Sequence, residues 1–469
     1  MTALMIQGTS SWAGKSLLTT ALCRSFARRG LRVAPFKAQN MSNNARVAQG
    51  GEIGAAQYLQ ALAAGVEPDV RMNPILVKPE GETRSQVIVD GVVDLELSRR
   101  PWPDRQLFLW PAIESALRSL LDDFALVLIE GAGSPAEINL REFDLVNMRV
   151  AAAANAPVLL VTDIHRGGAF AHLYGTWALL KEEERARIRG FVLNKFRGDP
   201  ALLSTGPARV EELTGVPVLG VLPWLEHGLP DEDGAGPPAA RPRRPRVVIV
   251  RYPTASNLDE FRVLEQVAQV VWAGEPKDIA GASVVVLPGS KHVAGDLDWL
   301  RNSGVGSAIT QRVASGGRVL GICGGLQMLG ERIDDQHGVD GSGAGLGLLP
   351  LTTAFAPAKL TRQTETRFGR LEPPWRALSS LAVSGYEIRH GRTRLTGPVD
   401  LALPGGLGFA RGPILGVYLH GLLENAEVVA ALVGEAPSRT LDQSLDELAD
   451  AVERHLDLPT LECHAGAVV

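Results

Sequence analysis

Of the three cysteines in the chain, Cys23, Cys323 and Cys463, one has neighbours suited to chemistry. Residues 318–329 read RVLGICGGLQML, a strand, a Gly-x-Cys-Gly-Gly turn and the start of a helix. A nucleophile on so tight a turn needs small neighbours, here Gly321, Gly324 and Gly325. Such a turn lifts the thiol above a sheet and points it at the positive end of the next helix, which favours thiolate. The plainer alternative is a buried cysteine beside packing glycines, and the placing of the glycines argues against it. Cys23, inside the first helical pattern, and Cys463, near the C-terminal end, read as structural. A thiol also needs a base. His420, in ILGVYLHGLLEN, follows an apolar run roughly a hundred residues downstream, a workable separation for a Cys/His pair assembled by the fold. The backbone N–H groups of Gly324 and of the Pro-Gly-Ser turn centred on Gly289 are natural oxyanion donors.

A second signature opens the chain. Residues 8–16, GTSSWAGKS, lie between an apolar run and an amphipathic pattern with Leu18, Leu22 and Phe26 on one face. In that context backbone N–H groups around Gly14 and the helix N-terminus cradle phosphate oxygens. Lys15 adds a point charge and the Ser16 hydroxyl reaches Mg²⁺. Five residues rather than four separate Gly8 from Gly14, a departure from the standard phosphate loop. Glu130 ends one apolar run, in IEGAGSPAEINL, and Asp163 ends another, in VTDIHRGG. Carboxylates at the C-terminal ends of parallel strands face the ligand crevice, and Mg²⁺ takes one or two of them. Glu130 is thus the first metal candidate and Asp163 the second, with helix capping the plainer role for each. Asn194, in FVLNKFRGD, is a candidate contact to the nucleotide base. Arg197 stands where a guanine-binding NKxD would carry aspartate, which favours ATP.

These residues must be held by α/β architecture. Continuously apolar runs at 125–129, 158–162, 191–194 and 216–221 alternate with helical patterns, as parallel strands buried on both faces do. The stretch HGLPDEDGAGPPAARPRRPR then carries almost nothing to bury. A second series follows, with strands at 247–250, 284–287 and 318–321. The expectation is a doubly wound phosphate-loop synthetase domain over residues 1–225, a linker over 226–246, a glutaminase-like α/β domain over 247–435 and a helical tail over 436–469. A length of 469 residues accommodates two or three domains. A net charge of −5 argues against general nucleic-acid binding. No apolar run reaches the roughly 18 residues needed to span a bilayer. The N-terminus lacks a signal-peptide pattern and three scattered cysteines fit a reducing cytoplasm.

The segments APFKAQNMSNN, MNPILVKPEGETRSQV, IEGAGSPAEINL, RGGAFAHLYGT, NKFRGD, LPGSK, GICGGLQMLG and YLHGLLEN resemble, in order from about residue 3 to about residue 430, those of the cobyric acid synthases. KAQNMSNN and EGAGSPAEINL are specific to that family, whereas the phosphate loop and GICGG are shared with relatives. The resemblance implies a dethiobiotin-synthetase-like domain joined to a class I glutamine amidotransferase domain of flavodoxin-like fold. It also implies a reaction: glutamine is hydrolysed through a Cys323 thioester with His420 moving protons, and ammonia attacks carboxylates activated by ATP and Mg²⁺. In the family the targets are the b, d, e and g side chains of adenosylcobyrinic acid a,c-diamide, so glutamine and a corrinoid polycarboxylate are the implied substrates. By position, Lys15, Ser16, Lys37 and Glu130 match nucleotide and metal residues, while Gln39, Asn40, Asn43 and Asn44 sit in a segment suited to orienting a polycarboxylate.

Two positions depart from the family pattern: His165 replaces an acid of DIDRGG, and Arg389 the histidine of GYEIH. Triad amidotransferases carry an acid two residues after the histidine, but Leu422 stands there, and Glu424 is not assigned in its place. The competing readings are a cobyrinic acid a,c-diamide synthase, against which KAQNMSNN argues, and a partitioning-ATPase-type switch, which needs neither Cys323 nor His420. Oligomeric state is left open.

Overall fold

The computed structural model describes residues 2–81, 84–229 and 244–466. Most of the expected linker, residues 230–243, and the last three residues of the expected tail lie outside the described residues.

The first half is built on a six-stranded sheet in the order 218–223, 188–196, 158–163, 3–8, 126–130, 33–36, with every neighbouring pair parallel. Strand Ala3–Gly8 is fully buried and delivers the phosphate loop at its C-terminal end. Strands Leu126–Glu130 and Val158–Asp163 flank it, so Glu130 and Asp163 emerge on either side of that loop. Helix Lys15–Arg28 covers one face of the sheet through Leu18, Leu22 and Phe26.

The second half has its own core around a seven-stranded sheet. Strands 269–273, 246–250, 284–287, 318–322 and 414–417 run parallel, and 408–411 and 400–403 add an antiparallel edge. A long antiparallel ribbon, Leu351–Arg367 with Ala382–Leu395, projects from this half. It reaches the small hairpin 45–48/51–54 of the first half, where Gln363 Nε2 donates to Val47 O at 2.8 Å.

The chain finally returns to its beginning. Helix Leu441–His455, opened by a Thr440/Gln443 capping box, lays Leu445, Leu448 and Val452 into the same cluster as Leu18 and Leu22. Arg24 meets Asp446 at 2.8 Å and Arg28 meets Asp450 at 2.6 Å along the seam. The C-terminal helices thus complete the phosphate-loop half rather than trailing from the second. Leu448→Ala should therefore destabilise the first half by about 3 kcal/mol, the cost of a large-to-small change in a core. Leu107→Ala, at a side chain 84% exposed, should change stability by less than about 0.5 kcal/mol. Calorimetric unfolding of the two variants checks the contrast.

Candidate functional site

At the end of strand Arg318–Ile322 the backbone turns at Cys323 with φ 50° and ψ −103°, then enters helix Gly324–Leu329. That conformation costs about 1–3 kcal/mol for a residue with a side chain and persists only where packing enforces it. Here Cys323 N–H donates to Val417 O at 2.7 Å and Gly325 N–H to Pro288 O at 3.0 Å. A Cβ on Gly325 would collide with the Leu287 carbonyl, so the elbow requires glycine there.

His420 follows strand Ile414–Val417, the direct neighbour of the elbow strand. Its Nδ1 lies 3.0 Å from Glu260 Oε1, while Gly421 N–H donates to Glu260 Oε2 at 2.8 Å. Both side chains are buried, and Tyr386 stacks on the imidazole at 5.4 Å between ring centres. Burial opposes the charged form of His420, but Cys323 and Glu260 outweigh it and raise the pKa to about 10. The imidazole is thereby held protonated beside the thiol, the form that can hand a proton to a leaving group. Gly289 packs so closely on His420 that a Cβ there would stand 2.8 Å from Cε1, and one on Gly324 would stand 2.7 Å from Ser290 N. The two expected oxyanion segments therefore meet beside the thiol. Cys23 differs: burial, with Glu130 near it, pushes its thiol pKa up, and Cys463 is exposed on the last helix.

In the phosphate loop, Gly14 adopts φ 96°, and a Cβ on it would collide with Asn194 Nδ2. Lys15 Nζ is held at 3.1 Å from both the Ser10 and the Gly133 carbonyls. Glu130 is fully buried; its carboxylate accepts from Ser16 Oγ at 2.8 Å, Lys37 Nζ at 2.8 Å and Gln60 Nε2 at 2.5 Å. A hydroxyl and a carboxylate oxygen side by side next to a phosphate cradle fit the few protein oxygens Mg²⁺ takes. Asp163 and Asn194 have other partners. Asp163 pairs with Lys195 at 3.1 Å and accepts from the His165 N–H, and Lys195 in turn reaches the Trp12 carbonyl. Asn194 Nδ2 donates to Ala13 O at 2.9 Å and its Oδ1 accepts from Lys195 N–H. Both residues brace the loop from the strand ends.

The segment around residues 39–46 joins the two sites. Asn40, Ser42, Asn44 and Arg46 line a cavity of about 430 Å³ together with Lys15, Ser16 and Glu260. Asn43 lines a separate cavity of about 80 Å³ that holds Cys323, Gly324 and His420. The segment breaks between strands 39–41 and 45–48, and the bend at Asn43 sends that side chain to the smaller space. Asn44 Oδ1 accepts from Leu258 N–H at 3.0 Å, and Asn40 Nδ2 donates to Gln57 at 3.1 Å. Gln39 Oε1 is buried with no partner among the described residues. Of the two unusual positions, Arg389 pairs with Glu387 at 2.7 Å and lines the small cavity. His165 stands edge-on to Trp224 with ring centres 5.0 Å apart.

A phosphate-loop sheet and a cysteine-elbow sheet in one chain define a glutamine amidotransferase fused to a nucleotide-binding domain. Residues 4–230 match the CobQ/CobB/MinD/ParA nucleotide binding domain, and residues 246–428 the CobB/CobQ-like glutamine amidotransferase domain. The chain belongs to the cobyric acid synthase family. It is 57% identical to the cobyric acid synthase of Paracidovorax citrulli (strain AAC00-1), with 97% of each chain covered. It is 54% identical to that of Variovorax paradoxus (strain S110), with 98% of each covered. The Polaromonas sp. (strain JS666 / ATCC BAA-500) protein is 52% identical over 98% of this chain and 97% of its own.

Sequence reasoning missed Glu260, because it lies 160 residues before the histidine it contacts, in LDEFRVLEQ, a stretch without strand or elbow signature. Glu260→Gln keeps the shape but removes the charge that orients and protonates His420. Glutamate release should fall by roughly 10²- to 10⁴-fold, the range of a disabled general base. The alkaline limb of the rate profile should also shift to lower pH, since losing Glu260 lowers the His420 pKa. An unaltered profile would remove Glu260 from the relay.

Proposed function

We propose that this protein amidates the b, d, e and g carboxylates of adenosylcobyrinic acid a,c-diamide, using ATP and ammonia drawn from glutamine, in the cytoplasm. The observation that carries the reading is the back-to-back placement of the two cavities on the segment 40–46. Cys323 attacks the glutamine carboxamide and His420 gives the leaving ammonia its proton. The N–H groups of Gly289 and Gly324 donate to the carbonyl oxygen as negative charge grows on it. Water then hydrolyses the thioester to glutamate, with His420 acting as base.

On the other side, Gly14 and the first turn of the following helix receive the ATP phosphates, and Lys15 neutralises charge on the terminal group. Ser16 and Glu130 would hold Mg²⁺, which supplies charge neutralisation for phosphoryl transfer. The substrate carboxylate takes the terminal phosphate, and ammonia displaces it to give amide, ADP and phosphate. Asn40, Asn44 and Arg46 line the cavity where the polycarboxylate would lie, and Lys37 holds Glu130 in place. Ammonia crosses near the wall formed by residues 43–46.

Incubation of the protein with the diamide, ATP and glutamine should give four successive mass changes of about one dalton, each a hydroxyl replaced by an amino group. Cys323→Ser should abolish the glutamine-driven reaction and retain the ammonium-driven one. Unchanged glutamine-dependent turnover in that variant would discard Cys323 as nucleophile, and absence of any amidation by the wild type would discard the substrate.

A further inference from the structure

The small cavity at Cys323 is not built by the glutaminase half alone. Asn43, Lys78 and Gln86 come from the nucleotide-binding half and face Ser290, Lys359, His390 and the thiol across the same space. Its charges do not balance. Glu52, 1% exposed, accepts from Lys78 Nζ and from Lys359 Nζ, each at 2.5 Å. Lys291 is matched by Glu80 at 2.8 Å and Arg389 by Glu387 at 2.7 Å. Asp340 also lines the cavity, but its carboxylate is taken up by His292 and the Val293 N–H. Two amino groups therefore share one buried carboxylate, Glu52, and lack a second anion.

An uncompensated buried charge is costly, and the neighbours register it. Burial, aided by Lys78 and Lys291, lowers the Lys359 pKa to about 7 despite Glu52. Burial, then Lys359, holds the His390 imidazole down at about 4, so it adds no charge. Asn43 Oδ1, an acceptor, is buried without a partner among the described residues. A space of about 80 Å³ holds several waters, the scale of a small polar molecule. The missing groups are thus an anion and a hydrogen-bond donor, carried by a molecule that the thiol can reach.

We infer that Lys78 and Lys359 jointly bind the α-carboxylate of glutamine and Asn43 Oδ1 accepts from its α-ammonium, so that the nucleotide-binding half completes the glutamine pocket. The inference rests on the glutaminase reading above and adds to it a binding site shared by both halves. Glutamine affinity then depends on how the halves are docked. Ammonia is released only where the synthetase half is already in place.

The test compares glutamine with 4-aminobutanamide, which keeps the carboxamide and lacks the α-carboxylate. Wild-type protein should prefer glutamine in kcat/KM by roughly 10- to 100-fold, as expected for a buried charge pair. Lys78→Met, and separately Lys359→Met, should raise the glutamine KM by a similar factor with little change in kcat, and should shrink the preference. Ammonium-driven turnover, which bypasses the pocket, normalises for folding. Equal handling of the two amides by the wild type, or an unchanged glutamine KM in folded Lys78→Met, would overturn the inference. Absence of glutamate release from wild-type protein would instead overturn the glutaminase reading.

Discussion

One buried guanidinium ties the two halves together at the point where their sites meet. Arg46, on the hairpin of the nucleotide-binding half, is buried against Asp259 and lies 2.5 Å from Glu424, with its plane 5.1 Å from the Tyr386 ring. Burial weakens a cation, but Asp259 and Glu424 outweigh that here and hold the Arg46 pKa well above its usual value. Removing one partner from such a cluster costs about 3–5 kcal/mol, because the remaining charge stays buried. Asp259 adjoins Glu260, and Tyr386 stacks on His420, so the interface contact and the catalytic relay share one local framework. Asn257 strengthens it by donating to the Tyr386 hydroxyl at 2.9 Å. An arginine suits this place better than a lysine, since its planar fork serves two carboxylates and an aromatic face together.

From that contact follows the division of the segment 40–46. The bend at Asn43, between strands 39–41 and 45–48, turns its side chain away from those of Asn40, Ser42, Asn44 and Arg46. Asn44 and Arg46 line the larger cavity with Lys15 and Ser16, while Asn43 lines the smaller one with Cys323. The ribbon Leu351–Arg367/Ala382–Leu395 closes the arrangement from the other half, bringing Lys359 to Glu52 and Tyr386 to His420. Neither cavity has walls from one half alone.

Much of this was legible in the residues. The phosphate loop, the elbow at Cys323 and the strand series are local patterns, fixed by short-range sterics and periodic burial. The structure has them where the sequence placed them. Glu130 beside Ser16, and His420 beside Cys323, follow from strand ends that parallel sheets bring to one edge. Glu260 was not legible, since its partner is far off in sequence and no short motif marks it. Asp163 and Asn194 read as ligand contacts from their strand-end positions alone. In the fold Asp163 also pairs with Lys195 and Asn194 also donates to the Ala13 carbonyl, so both stand against the phosphate loop. The return of helix Leu441–His455 to the first half was equally hidden, because an amphipathic helix announces a buried face without naming what covers it.

If the two cavities act as one enzyme, nitrogen passes across their common wall without mixing with solvent. The most direct test supplies glutamine labelled with ¹⁵N at its amide together with excess unlabelled ammonium, and measures the label in the amidated corrinoid. Undiluted ¹⁵N in the product is the predicted result. Dilution to the ratio in bulk solution would contradict the account and leave two independent sites that share a chain.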